Sequence, residues 1–178
     1  MLHQDLEQSL NRQLTNEYYS SYFYLSIAAH LDSKGMKGMG AWARIRAEEE
    51  LFHAMKFFDY LTQRMGTVRL APIAAPPHEW KNFSEVFTAI YNHECQVTRW
   101  IHELSALATK VQDPAAGIFL QWFVNEQVEE EANTKDAADK IAMVDGNPMG
   151  LFMMDKDLAA LATTMAAALA AAKAGAKG

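Results

Sequence analysis

The segment that decides the fold spans residues 41–65 and reads AWARIRAEEELFHAMKFFDYLTQRM. It contains neither glycine nor proline, so nothing in it interrupts a helix. Residues three or four apart share one face of an α-helix. One such face of this segment carries Trp42, Arg46, Glu50, His53, Phe57 and Leu61. The segment therefore predicts one long helix with ionisable side chains in the middle of its apolar face.

Three further segments show the same periodicity, at residues 1–34, 83–112 and 114–145. Helices of ~25–28 residues would each be about 40 Å long. Two of the three connections between them are short, as antiparallel neighbours require, but the one at about residues 66–82 is long enough to cross the length of a bundle. We therefore predict an all-α protein, a four-helix bundle of the ferritin-like variant with one long crossover.

The composition fits a single globular domain. The 178 residues are 50% hydrophobic and 21% charged, which excludes a disordered chain. A net charge of −6 argues against a nucleic-acid partner and favours a solvated acidic surface or cation binding. The single cysteine, Cys95, excludes an intrachain disulfide framework and suits a reducing cytoplasm.

The two ends of the sequence bear on location and domain organisation. The first residues lack the basic start and apolar run of a signal peptide. The late uncharged run at residues 158–172 is shorter than the ~20 residues that a membrane span needs. We therefore expect a cytoplasmic protein with no membrane partner. We also expect residues 1–145 to form the bundle, and residues 146–178 to add a short fifth helix and an Ala-rich tail to the same domain.

Carboxylates occupy positions where apolar residues are expected. Each predicted bundle helix carries one carboxylate on its core face, and these are Glu17, Glu50, Glu94 and Glu130. His53 and Gln127 lie on the same faces. Buried unpaired carboxylates are costly and would repel one another unless cations share them. Oxygen and imidazole ligands at the centre of a bundle suit a pair of divalent metal ions. The spacings Glu50-x-x-His53 and Gln127-x-x-Glu130 place two ligands on one helical face in each case.

Simpler interpretations exist for each motif taken alone. A lone Glu-x-x-His is common on helices, and the acidic runs at residues 48–50 and 129–131 would usually be solvated surface. The tyrosines of the first helix would ordinarily be packing residues. The metal interpretation is favoured because four separate helices each place a ligand on the apolar stripe.

Three motifs together resemble the prokaryotic non-haem ferritins. They are NEYYSS at residues 16–21, EEELFH at 48–53 and FLQWFVNEQVEE at 119–130. The resemblance runs over about residues 6–161, and GLFMMDKDL at 150–158 is similar to the family's short fifth helix. The Ala-rich tail departs from the family pattern.

The resemblance implies an iron-storage protein with ferroxidase activity. Glu17, Glu50 and His53 would hold one iron with Gln127 near it, and Glu50 would bridge to a second iron held by Glu94 and Glu130. Fe(II) would be oxidised there by O₂ or H₂O₂. The Fe(III) mineral would be stored inside a hollow homo-oligomer of roughly twenty-four subunits.

The resemblance also extends to residues around the two iron sites. Tyr24 lies two turns after Glu17 and is similar to the tyrosine beside the family's ferroxidase centre, where it would donate an electron or serve as a packing or hydrogen-bonding residue. Glu49, Glu126 and Glu129, sharing Glu130, resemble an additional third iron site. The alternative is an acidic surface that attracts cations without ordering one.

No haem is expected, because Leu51 stands where bacterioferritins have the haem-ligating methionine.

Two other classes of protein remain in competition. A rubrerythrin-like di-iron oxidase or peroxidase would use the same bundle for redox turnover without storage, although Cys95 alone cannot supply the Cys-x-x-Cys electron-transfer module of that class. A purely structural bundle would have to leave several core carboxylates without compensating charge.

Overall fold

The computed structural model describes residues 2–175 and places five helices in that range. They are α1 (Gln4–Ser33), α2 (Lys37–Gln63), α3 (Phe83–Lys110), α4 (Pro114–Val144) and α5 (Pro148–Gly175). No strand occurs among residues 2–175. The predicted all-α class and the fifth helix are therefore confirmed.

The helix boundaries follow from capping residues. The side chain of Asn82 accepts a hydrogen bond from the Glu85 amide and so begins α3. Asp113 does the same for the Ala116 amide, with Pro114 in the first turn of α4. Gly35, at φ +82°, adopts a left-handed conformation that closes α1. The segment expected to begin at residue 41 begins instead at Lys37, because Gly38 and Gly40 lie within α2 and only Gly35 belongs to the turn.

The crossover between α2 and α3 runs along the outside of α1. Near one end of α1, the Asn11 side chain donates to Thr67 O at 2.9 Å and accepts from the Arg69 amide at 2.6 Å. Farther along α1, the Ser26 hydroxyl donates to Pro77 O at 2.6 Å. Residues 11 and 26 are about 22 Å apart along a helix. The segment therefore crosses much of the bundle's length, as predicted from its length.

Two apolar clusters fill the bundle, one towards each end. The first includes Tyr24, Trp42 and Phe87, and the second includes Phe57 and Phe123. On every bundle helix a predicted ligand separates the two clusters: Glu17, Glu50, Glu94 and Glu130. The polar layer is therefore enclosed by close-packed apolar side chains above and below, which exclude water and hold its side chains in place.

Helix α5 is longer than the short helix expected from the sequence. It is 28 residues long, because the Ala-rich segment continues the helix instead of forming a separate tail. Alanine has the highest helix propensity, so this continuation has a direct physical cause. The last part of the expected tail, residues 176–178, lies outside the described residues.

By length and composition alone, α5 could also cross a membrane. Its most apolar 18-residue window has a mean hydropathy of 1.4, and 17% of that window is buried. The expectation of no membrane span rested on the uncharged run alone, and the helix that contains this run is longer. Helix α5 nevertheless packs on α2: the Met39 amide donates to Asp155 Oδ1 at 2.9 Å, and Lys173 Nζ lies 3.3 Å from Glu48 Oε2.

The contact between α2 and α5 depends on a glycine. A Cβ atom on Gly38 would lie 1.8 Å from the backbone oxygen of Asp155. We therefore expect Gly38→Ala to push α5 away from α2 and to lower the free energy of unfolding by about 1–3 kcal/mol. For a chain of this size, each kcal/mol lowers Tm by about 2–4 °C. Thermal unfolding followed by circular dichroism measures this.

Gly117→Ala is the matched control, because that glycine is also helical and has no neighbouring atom within 4 Å of its would-be Cβ. It should leave Tm unchanged or raise it slightly. Equal effects of the two substitutions would contradict the close α2–α5 contact.

Candidate metal centre

Glu17, Glu50 and His53 meet inside the bundle. One potential ligand atom from each lies within 4.8 Å of the other two. The α1 and α2 stripes face each other at this level, so Glu17 approaches the Glu50–His53 pair, whose Oε2 and Nδ1 atoms are 3.5 Å apart. All three residues are buried. The grouping that the sequence predicted for one metal ion is therefore present.

Glu17 shows how this group suits a cation. Its Oε1 accepts a hydrogen bond from Gln13 Nε2 at 2.8 Å, while its buried Oε2 has no hydrogen-bond partner within residues 2–175. Burial, and then the negative charge of Glu50, raise the pKa of Glu17 from an ordinary 4.5 to about 8. A divalent ion would satisfy the free oxygen and replace the proton.

The second group lies on α3 and α4. Glu94 Oε1 accepts a hydrogen bond from the Tyr24 hydroxyl at 2.5 Å. Burial and the neighbouring Glu130 raise the pKa of Glu94 to about 7. The pKa of Glu50 is also raised well above its usual range, by burial and by the charges of Glu94 and Glu130. The charge of Glu50 thus interacts with Glu94 and Glu130 as well as with Glu17.

Gln127, for which the resemblance implies a place near the first group, contacts Glu94. Its Nε2 atom lies 3.2 Å from Thr98 Oγ1, 3.3 Å from Glu94 O and 3.4 Å from Glu94 Oε2, all on α3. A buried amide requires hydrogen-bond acceptors, and α3 provides three for Gln127 Nε2. The amide therefore orients Glu94, the ligand of the second group.

Tyr24 lies in the interior beside this second group. It is completely buried, and its ring contacts Trp42 edge-on at 6.3 Å. Burial and the charge of Glu94 raise the pKa of the phenol well above 10, so it stays protonated and donates to the carboxylate. Tyr24 is therefore a hydrogen-bonding residue of the site as well as a packing residue.

Arg46 is a site residue to which the sequence analysis assigned no role. Its Nη1 atom lies 2.5 Å from Glu130 Oε1 and 3.4 Å from Glu49 Oε2, and its guanidinium lies over the Trp42 ring at 5.4 Å. The signal was available, because Arg46 precedes Glu50 by one turn on the predicted core stripe. A cation on that stripe points to a counter-charge for the carboxylates.

The residues expected to form a third site share one cavity. Glu49, Glu126 and Glu129 line a cavity of about 350 Å³ between α2, α4 and α5, with Arg46 and Glu130 also on its wall. Burial raises the pKa of both Glu49 and Glu126. The cavity therefore adjoins the buried centre through Glu130, and α5 borders it on one side.

The whole arrangement offers carboxylate oxygens and one imidazole in a dry interior. Such ligands suit divalent metals of hard or borderline character. Glu17, Glu50 and His53 together could hold one such ion. The adjoining cavity adds further carboxylates next to Glu130.

Comparison with known proteins agrees with this geometry. The family model for the ferritin-like domain matches residues 7–144. A probable bacterial non-heme ferritin-like protein of Haemophilus influenzae is 37% identical over 163 residues, which cover 92% of this chain and 99% of that protein. The bacterial non-heme ferritin of Escherichia coli O6:H1 is 36% identical with the same coverage.

Solved structures give the same result. A novel open-pore ferritin from the hyperthermophilic archaeon Archaeoglobus fulgidus superposes with a TM-score of 0.88 at 42% identity, covering 89% of this chain and 98% of that one. An engineered closed form of that ferritin has the same TM-score and identity. Family model, relatives and structures cover the bundle and all of the predicted ligands, and they show that this chain belongs to the bacterial non-heme ferritin family.

Proposed function

We propose that this protein stores iron and that it oxidises Fe(II) before storage. The observation that carries the proposal is the buried group of Glu17, Glu50 and His53, with its unpartnered carboxylate oxygen, next to Glu94 and Glu130. The relatives named bacterial non-heme ferritin support iron as the ion. In this proposal iron is the substrate and the cargo.

In this proposal the residues of the centre bind the two Fe(II) ions and hold the ligands in position. Glu17, Glu50 and His53 bind the first Fe(II), and Glu50, Glu94 and Glu130 bind the second. Binding displaces the protons that burial keeps on Glu17 and Glu94. Two Fe(II) ions then become two Fe(III) ions, and their two electrons, together with two protons taken from water, convert O₂ to H₂O₂, or H₂O₂ to two H₂O. Tyr24 holds Glu94 in position through its hydroxyl.

We further propose that the storage form is a hollow, cytoplasmic homo-oligomer of roughly twenty-four subunits. The Archaeoglobus fulgidus structures described as open-pore and closed-form ferritins support self-assembly. Exposed apolar side chains on α4 and α5 offer surface for subunit contacts: Met143, Met149, Phe152, Met153 and Leu161. No role for haem, nucleic acid or a membrane is included in the proposal.

Size-exclusion chromatography with iron staining tests the storage function. A large particle that takes up hundreds of Fe ions per shell is expected. A dimer that retains only two ions per chain would favour the rubrerythrin-like oxidase or peroxidase, which needs no shell. A particle that binds no iron would favour a bundle without a metal function.

We propose that the cavity holds a third, weaker iron site formed by Glu49, Glu126, Glu129 and Glu130. The triple variant Glu49→Ala, Glu126→Ala and Glu129→Ala should leave the first oxidation burst nearly intact, because the buried ligands remain. It should change the number of Fe(II) ions oxidised per molecule of oxidant. It should also slow later turnover, because oxidised iron would leave the centre through the third site. Stopped-flow absorbance with parallel oxidant consumption measures both quantities.

The matched control removes the same charge elsewhere, through Glu79→Ala, Glu103→Ala and Glu131→Ala, none of which lines the cavity. Unchanged stoichiometry and unchanged later turnover in the cavity variant would exclude a functional third site. A change of the same size in the control variant would assign the effect to net charge.

A further inference from the structure

Arg46 introduces a fixed positive charge between two sets of proposed iron ligands. Its guanidinium contacts Glu130, which belongs to the second-iron group, and Glu49, which belongs to the cavity. The side chain is buried, and the Trp42 ring covers it. An ion pair this enclosed is little screened by water or salt.

The guanidinium differs from a proton as a competitor of iron. An incoming metal ion can displace a proton from a carboxylic acid and release it to water. It cannot discharge an arginine, which stays protonated in proteins. Iron that uses Glu130 must therefore share this carboxylate with Arg46 or break the ion pair.

Among residues 2–175 the ion pairs of Arg46 are with Glu49 and Glu130, and none is with a member of the first iron group. Glu17 has Gln13 as its hydrogen-bond partner. His53 lies beside Glu50 and follows Arg46 on α2 by seven residues, which is about two helical turns. Arg46 precedes Glu49 by three residues on the same helix, so after releasing Glu130 it keeps an ion-pair partner. The guanidinium can thus move from one carboxylate to the other without being left buried and unpaired.

We propose that Arg46 is a positioning residue that competes with iron for Glu130 and Glu49, and so weakens the second and third ions relative to the first. The inference rests on the proposed function, since it assumes that these carboxylates bind iron. Its consequence is directional: the most weakly held ions are those nearest the cavity, from which oxidised iron passes to the mineral.

Calorimetric titration of the assembled, metal-free protein with Zn²⁺ tests the proposal without any redox reaction. The Arg46→Gln variant should bind the ions after the first at least tenfold more tightly than the unaltered protein. Affinity for the first ion should stay within twofold. Unchanged affinity at every step, or an equal change at the first step, would overturn the proposal.

Two further variants separate charge from damage to the fold. Arg46→Lys keeps the positive charge and should bind the later ions more like the unaltered protein than like Arg46→Gln; affinities equal to those of Arg46→Gln would contradict a competing charge. Arg44→Gln removes an exposed arginine of the same helix that pairs with Asp32, and it should change no step. A comparable tightening there would assign the effect to net charge and reject a specific role of Arg46.

A readout independent of metal affinity is the stability of the metal-free form. Arg46→Gln leaves Glu130 without its counter-charge, so Tm should fall in the absence of metal, and Zn²⁺ should raise it by more than in the unaltered protein. A Tm that does not change would contradict the ion pair. If the unaltered protein and Arg46→Gln both bind only one Zn²⁺, the two-ion centre fails together with this inference; if both bind two equally well, only the inference fails.

Discussion

Replacing Glu50 by alanine should abolish fast Fe(II) oxidation, lowering the initial rate by about a hundredfold or more. Glu50 lies beside His53 at 3.5 Å, and its pKa responds to Glu94 and Glu130, so it interacts with both proposed iron groups. Without this bridge the two ions lose their shared ligand and the transfer of two electrons to one oxidant. His53→Ala should act in the same direction by removing the only imidazole from this group of ligands.

The fold should survive both substitutions. Glu50 is buried among carboxylates that raise its pKa, so its removal relieves repulsion and desolvation and should maintain or raise the Tm of the metal-free protein. Glu48→Ala is the matched control, because this exposed residue of the same helix forms an ion pair with Lys173 on α5, away from the centre. Stopped-flow oxidation assays and thermal melts measure both effects. Wild-type initial rates in Glu50→Ala would show that the centre has been placed incorrectly.

The metal-free protein should lose stability as the pH rises from about 5 to 8. The pKa of Glu17 is 4.5 ordinarily and about 8 in the folded state, and that of Glu94 is raised to about 7. Between these values the folded state binds more protons than the unfolded state, so the free energy of unfolding falls with increasing pH. The contribution of Glu17 and Glu94 to the free energy of unfolding is greatest below pH 4.5, and it is lost above pH 8.

Metal binding should show the opposite pH dependence. Near pH 6.5, the first divalent ion must release the proton of Glu17, so affinity should rise with pH until about 8. Calorimetry in buffers of different ionisation enthalpy counts the protons released, and thermal melts at several pH values follow stability. Glu17→Gln is the control: it cannot titrate, and its melting curve should depend less on pH. No proton release at pH 6.5 would contradict the protonated state of Glu17.

Much of the architecture could be predicted because it depends on local chemistry. Clusters of glycine, proline and capping residues mark most of the helix ends, and residues at helical spacing define the face that must be buried. These two rules locate the four bundle helices, the long crossover and the stripe positions of Glu17, Glu50, Glu94 and Glu130. A carboxylate on every stripe is improbable without cations, so the sequence predicts a metal centre, and Glu17, Glu50 and His53 do meet inside the bundle.

Only the tertiary structure decided which partners the long side chains chose and where the last helix packs. Gln127 and Arg46 lie on predicted stripes, but a long amide or guanidinium side chain can reach more than one neighbouring helix. Which partner it contacts depends on distances between helices, and the spacing of residues in the sequence does not specify those distances. The Ala-rich end has strong helix propensity but no distinct apolar stripe, so its sequence indicates neither the length of α5 nor its contact with α2. That contact is set by Gly38, whose missing side chain admits the α5 backbone.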